Sequence, residues 1–294
     1  MRILSSLSLM LMLAAPISSA QQTGPDDFTT ANGRTLMDAV YERHEQYPYV
    51  YEEQSMILID RFGNKETRTL KRYSRVENNG TINFLLLFDS PKEVAGVAIL
   101  ATRLANGLTK QSFFLPALGY GLIASNSNHV PGQVGDNFLG TDYSIEDLTG
   151  EILDDYQHIR RDDTLIDEIP YFVVDAFVRS ASSDQIVLEQ VLPVRRHYIR
   201  KDNLYISQTE HFDNLGRLRK RQSNHDLQPV HGDMWRANMM LMDDDREQHR
   251  TVIKIDRRVF SADYVPEEVF TSEWLIRNSP KEYPEETSEA EVSS

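Results

Sequence analysis

Apolar and polar positions alternate with a period of two over most of this chain, and that alternation predicts strands. Val50–Asp60 and Glu66–Val76 flank Asp60-Arg61-Phe62-Gly63, a turn sequence with Asp first and Gly fourth. Asn83–Asp89 is a short apolar run fit for a buried strand, and Val97–Leu104 with Gln111–Leu115 reads as a hairpin joined through Asn106-Gly107. Tyr171–Arg179 alternates, with Phe172, Val174, Ala176 and Val178 on one face. Ile186–Leu192, Arg195–Arg200, Leu204–Phe212 and Leu218–Ser223 continue as a meander whose last hairpin turns through Asp213-Asn214-Leu215-Gly216. Met239–Met242 and Thr251–Val259 add late strands.

The period changes to that of a helix in three places. Thr35–His44 carries Leu36, Met37, Val40 and Tyr41 on one face, with Thr35 and Asp38 in a capping-box pattern. Ser144–Leu148 has Ser at the cap and Asp147 three residues on, and Pro266–Leu275 opens with Pro and two Glu. No Pro/Gly linker and no fixed repeat divides the chain. Many antiparallel strands and few helices predict a mainly β fold built on one large, strongly curved antiparallel sheet.

The ends differ from this body. Arg2, the apolar stretch Ile3–Pro16 and the small-x-small run Ser18-Ser19-Ala20 predict a signal peptide over residues 1–20, cleaved after Ala20. Its apolar core is too short to span a bilayer stably. Residues 21–32 read as a flexible N-terminal segment, 33–276 as one domain and 277–294 as a disordered acidic tail. The expected location is the periplasm.

Composition narrows the chemistry. There is no cysteine, which excludes disulfides, thiolate catalysis, Cys-ligated metals and acylation of a Cys behind the signal sequence. Asp and Glu outnumber Lys and Arg 45 to 31, for a formal net charge of −14. This excludes a nucleic-acid binder and argues for no more than transient contact with anionic membranes.

Motif-like stretches fail on context. Gly119-Tyr120-Gly121-Leu122-Ile123-Ala124 has dinucleotide-fingerprint spacing, but Pro131-Gly132 and the polar run before it forbid the helix that should follow. His225, His231 and Asp233 have no metal-ligand spacing, and Asp243-Asp244-Asp245 lacks the alternation and glycine of a calcium loop. Asn79-Gly80-Thr81 reads as a turn. Asp142, Glu146 and Asp147 could pair as glycosidase acids, yet Glu146 and Asp147 sit where acids complement a helix dipole. No catalytic residue, metal site or cofactor is therefore expected.

Two stretches together carry a family resemblance. Phe88-x-x-Pro91, Gly96 and Leu100 lead to Phe113-Phe114-Leu115-Pro116-Ala117-Leu118, and then comes Phe138-Leu139-Gly140-Thr141-Asp142-Tyr143-Ser144-Ile145-Glu146-Asp147-Leu148. The hairpin Glu210–Gly216 and the closing Val265-Pro266, Phe270-Thr271 and Leu275 agree more loosely. This resembles the exported outer-membrane lipoprotein-sorting proteins with a LolA-like domain, over Thr35–Leu275. The chain departs from that pattern after Leu118, where Gly119–Ile123 replaces a basic segment.

The resemblance implies an incomplete, half β-barrel with helices covering its concave face. It further implies a monomeric periplasmic carrier of hydrophobic cargo, a lipid or an acylated protein, working beside an inner-membrane RND-type transporter. A non-transporting adaptor or sensor of an envelope membrane-protein complex is the alternative, and an enzyme is the third reading. Strand-borne Leu85, Leu87, Phe113 and Leu115, with Met239 and Met242 as adaptable fillers, are the candidate cargo-lining residues, against ordinary core packing. Pro91, Gly96, Pro116, Gly140, Asp142 and Asp147 are read as structural, with Asp142 in a turn and Asp147 in a helix cap.

Overall fold

The computed structural model describes residues 28–104, 108–116, 122–124 (backbone alone), 137–179 and 192–278. The signal sequence, Asn106-Gly107, Gly119–Gly121, Ile186–Val191 and the tail from 279 lie outside the described residues. Residues 1–31 form a unit of their own, in which the Ala31 N–H donates to the Phe28 carbonyl; everything below belongs to the unit 32–294.

Thirteen strands form one antiparallel sheet: β1 Tyr49–Ile59, β2 Lys65–Val76, β3 Ile82–Ser90, β4 Ala98–Arg103, β5 Thr109–Phe114, β6 Leu122–Ala124, β7 Tyr156–Ile166, β8 Ile169–Val178, β9 Arg195–Arg200, β10 Ile206–Phe212, β11 Leu218–His231, β12 Met234–Asp244 and β13 His249–Val259. Two meanders, β1–β6 and β7–β13, join where the first strand pairs with the last. Among the described residues the α-helices are α1 Gly33–His44, α2 Ile145–Thr149 and α3 Ser272–Asn278.

The mainly β expectation holds, but the half-barrel does not. The sheet is open, with β6 and β7 as its free edges, and it is neither closed nor strongly curled. A sheet face must be buried against something. Here α1 and the 137–151 segment cover one face and residues 262–278 the other, so the sheet need not wrap on itself to hide its apolar side chains.

Register sorts the side chains cleanly between those two faces. On the face under 262–278, Tyr51 stands opposite Tyr73 and Tyr73 opposite Leu85, and these pack with Leu87, Phe114, Val265, Val269 and Leu275. The other face presents Met56, Leu58, Leu70, Leu86, Phe88 and Ile99, capped by Phe138 and Tyr143 from the covering segment.

Several boundaries move. The α1 cap is Asn32, whose side chain accepts from the Thr35 N–H, so the helix begins before the expected box. Strand β7 was not expected, because its charged sequence YQHIRRDDTLI belongs to an edge strand. Tyr171–Phe177 in β8 is buried on both faces, so its alternation is not that of a half-exposed strand. The expected Pro266–Leu275 helix divides into a 3-10 turn, Glu267–Phe270, and α3. The Asp-x-x-Gly turns form as read, with Gly63 and Gly216 both at positive φ.

Candidate functional site: a covered cavity

Between the sheet and its covering segment lies a cavity of about 300 Å³. Two covers roof it. Helix α1 contributes Val40, Tyr41 and His44, and it comes close to β7 because residue 33 is Gly: a Cβ there would stand 2.7 Å from the His158 carbonyl carbon. The second cover runs from Asn137 to Glu151. Its turn passes through Leu139 and Gly140 at positive φ, and its carbonyl at Leu139 accepts from Arg68 Nη1 at 2.7 Å. Buried Lys220 donates to the Asp142 carbonyl at 2.8 Å and to Asn137 Oδ1. Asp142 Oδ2 takes the Thr251 hydroxyl at 2.7 Å. Ser144 and Asp147 then close a reciprocal capping box that starts α2.

Part of the cavity floor is apolar: Phe84, Leu86, Met240 and Ile253 line it. The rest is charged, and the charges are buried. At one end Arg195 on β9 reaches three carboxylates of the cover, buried Glu146 at 2.9 Å, half-buried Asp147 at 3.3 Å and buried Glu151 at 3.1 Å. Tyr156 donates to Glu146 at 2.6 Å, while His158 and His197 flank Glu151 at 2.6 and 3.2 Å. Burial works against the charge on Glu151, but His197, His158 and Arg195 outweigh it and hold the carboxyl well below its usual range. Burial also opposes the Arg195 charge, yet Glu146 and its neighbours keep the guanidinium well above its usual value. His211 on β10, opposite Arg195 in register, is pushed down to about 4, chiefly by burial and against the pull of Asp147. Its Nε2 and the Tyr143 hydroxyl are buried in the lining and have no hydrogen-bond partner among the described residues.

At the other end Glu52 on β1 stands between Arg72 on β2 and Arg258 on β13, directly opposite both in register. It accepts from Arg258 Nε at 2.6 Å, Gln54 Nε2 at 2.7 Å and Arg72 Nη1 at 3.3 Å. Burial would raise Glu52; the two arginines outweigh it and hold the carboxyl at about 2. Arg236 on β12 lines the same end.

None of the expected cargo-lining residues lines this cavity. Leu85 and Leu87 face the other side, in the core under residues 262–278. Met242 is fully buried in the core beneath Phe138, Phe113 stacks on the Phe138 ring at 6.2 Å, and Leu115 and Met239 are half-buried. Pro91 follows a cis bond, Gly96 lies at positive φ and donates to the Phe88 carbonyl, and Pro116 is buried. His225 bonds Ser223, and His231 lies edge-on to Tyr47. Among the described residues no group of three His, Cys, Asp or Glu is placed to hold a metal ion.

The site residues that sequence reasoning missed share one signal. Glu52 and Gln54 have the parity of Met56 and Leu58; Arg195 and His197 have that of Ile199; His211 has that of Thr209. Polar residues at core parity, rather than apolar ones, mark this cavity.

A family model described as "Uncharacterized protein" matches residues 80–277, more than half of the chain. No curated protein matches. Among solved structures, a domain from Vibrio parahaemolyticus assigned by name to outer membrane lipoprotein sorting is similar at a TM-score of 0.71 and 20% identity. The match covers 83% of this chain and 97% of that one. A DUF1329 family protein from Desulfovibrio piger is similar at 0.67 and 21%, covering 81% and 98%. A LolA superfamily protein from Nitrosomonas europaea follows at 0.61 and 15%, covering 83% and 99%. At these identities the likeness is one of fold.

Proposed function

The chain belongs to that family of uncharacterized proteins, and from this premise we propose that it is a periplasmic binding protein that carries a hydrophobic or lipidated cargo in the covered cavity. The observation that carries the reading is the cavity itself, roofed by two covers and floored by Phe84, Leu86, Met240 and Ile253. The signal-sequence pattern at residues 1–20 and the fold shared with the lipoprotein-sorting domain and the LolA superfamily protein support it. Each methylene moved from water to such a floor contributes about 0.8 kcal/mol. About 300 Å³ is at the low end of small-ligand sites, so the cargo inserts one short apolar portion rather than several acyl chains.

The work asked of the residues is binding and release. The chain has no cysteine and, among the described residues, no metal-holding cluster, so we read it as a carrier without catalysis. The 137–151 cover packs through Phe138 and Tyr143 and is held further by hydrogen bonds and ion pairs, which a receiving partner can replace. Direction must come from that partner, because binding alone shifts an equilibrium only by differential affinity. An inner-membrane RND-type transporter fits the role.

Native mass spectrometry of the protein taken from its own periplasm, followed by solvent extraction, tests this. A reproducible bound lipid or acylated peptide that disappears when Met240→Trp fills the cavity is expected. A clean unliganded mass under gentle conditions would overturn the carrier reading and favour an adaptor that contacts a membrane protein with its cavity empty.

A further inference from the structure

The arginine end of the cavity holds more positive than negative charge, in a chain whose net charge is −14. Arg72, Arg236 and Arg258 line it, against Glu52 within and Glu45 at its exposed rim; His44 beside them is pushed down to about 4, chiefly by burial, and is neutral at pH 7. The three guanidinium groups are not equivalent. Arg258 is engaged: Nε on Glu52 at 2.6 Å, Nη2 on the Ala237 carbonyl at 2.9 Å and Nη1 on Asn238 at 3.3 Å. Arg72 makes one long bond, to Glu52 at 3.3 Å, and lies over the Phe84 ring at 5.7 Å. Arg236 makes no hydrogen bond or ion pair among the described residues. Burial pulls its guanidinium below the ordinary value, Glu45 works against that, and Arg258 and Arg72 add to it.

A half-buried guanidinium with open donors beside two others is a costly arrangement unless an anion completes it. The apolar floor begins where these donors end. Arg72 stands opposite Leu86 in register, and Arg236 shares a face of β12 with Met240, which stands opposite Ile253. Resting on the carrier reading above, we propose that the cargo is an anionic amphiphile: a carboxylate or phosphate group bound by Arg236 and Arg72, with its apolar portion laid over Phe84, Leu86, Met240 and Ile253. The cavity thereby reads the charge of the headgroup as well as the presence of a chain.

Binding of decanoate, decyl phosphate, decanol and decyltrimethylammonium to the purified protein, by calorimetry, tests the assignment, with acetate and inorganic phosphate as tailless arms. Decanoate and decyl phosphate should bind at least about tenfold more tightly than decanol, the loss expected when a charged hydrogen bond is missing. Decyltrimethylammonium should bind weakest. Arg236→Gln should bring decanoate down to the affinity of decanol and leave decanol unchanged, while Arg236→Lys restores part of the difference. Retained decanol binding shows that the variant is folded. Equal affinity for decanoate and decanol, or indifference to Arg236→Gln, would overturn the headgroup assignment and leave the carrier reading standing. Inorganic phosphate or acetate binding as tightly as the decyl anions would make this a site for free oxyanions, again against the assignment. No binding of any decyl probe would overturn both readings.

Discussion

Arg195→Met is the sharpest test of how the cavity's cover is held. The substitution keeps an unbranched side chain in place of the guanidinium and removes the one cation that reaches Glu146, Asp147 and Glu151 at 2.9, 3.3 and 3.1 Å. These carboxylates do not become wholly unpartnered. Tyr156 still donates to Glu146, the Ser144 N–H to Asp147, and two histidines flank Glu151. What is lost is the positive charge that made their burial tolerable. Breaking a buried ion pair from one side costs about 3–5 kcal/mol. For a domain of this size that corresponds to a fall in Tm of roughly 6 to 20 °C.

The pH dependence carries the more specific prediction. In the native protein Glu151 is held well below its usual range, so its contribution to stability is complete above the unfolded carboxylate pKa and is lost only as pH falls through the lower folded value. Without Arg195, burial is opposed less, and the folded pKa values of Asp147 and Glu151 move up. The unfolded pKa values are common to both proteins, so the penalty is full at neutral pH and shrinks as pH falls through the raised folded values of the variant toward the low folded values of the native protein. Urea unfolding of both proteins from pH 7 down to pH 4 should show the stability gap narrowing toward the acid end. A gap below about 1 kcal/mol at pH 7, or one that does not change with pH, would refute the role given to Arg195.

The other expectations concern local packing and titration. Gly33→Ala places a Cβ 2.7 Å from the His158 carbonyl carbon and oxygen, forcing α1 away from β7. A loss of about 1–3 kcal/mol in chemical denaturation is expected, and an unchanged midpoint would count against the close approach. Ser144→Ala removes half of the α2 capping box and should cost about 0.5–2 kcal/mol; hydrogen exchange at residues 145–149 should rise with it. His211, whose folded pKa is about 4, favours the native state fully above the unfolded value near 6.5 and loses that contribution as pH falls from there toward 4. The loss is on the order of 3 kcal/mol. His211→Gln should flatten stability over that window, and an identical acid slope in both proteins would rule the histidine out.

Much of the fold was legible because strands with one dominant face print their period on the sequence. β1, β2, β3, β9 and β13 lie within two residues of the expected ranges. The Asp-x-x-Gly turns and the Ser144 cap were legible as well, since each rests on a local hydrogen bond within four residues. β7 was not, because an edge strand has solvent on one side and charged residues suit it. Sheet curvature was not legible either: it depends on what covers each face, and covering side chains come from far along the chain, as Leu275 does for Tyr51. The cargo candidates Leu85 and Leu87 come from β3, where Phe84–Phe88 is buried without a break. Such a run carries no period, so it could not say that Leu86 faces the cavity and its two neighbours do not.

The covered cavity lies where the packing of one sheet face changes character. Under residues 262–278 the sheet's Tyr51, Tyr73 and Phe114 meet Val269 and Leu275 in one buried aromatic and aliphatic cluster. On the other face the same logic holds around Phe88, Phe138 and Ile99 and stops where Glu52, Arg195, His197 and His211 take over at core parity. Long charged side chains fix a cover at hydrogen-bond distance without filling the space beneath it. An all-apolar substitution of that end would stabilise the fold by closing the cavity. Charge at core parity is therefore what keeps the space open.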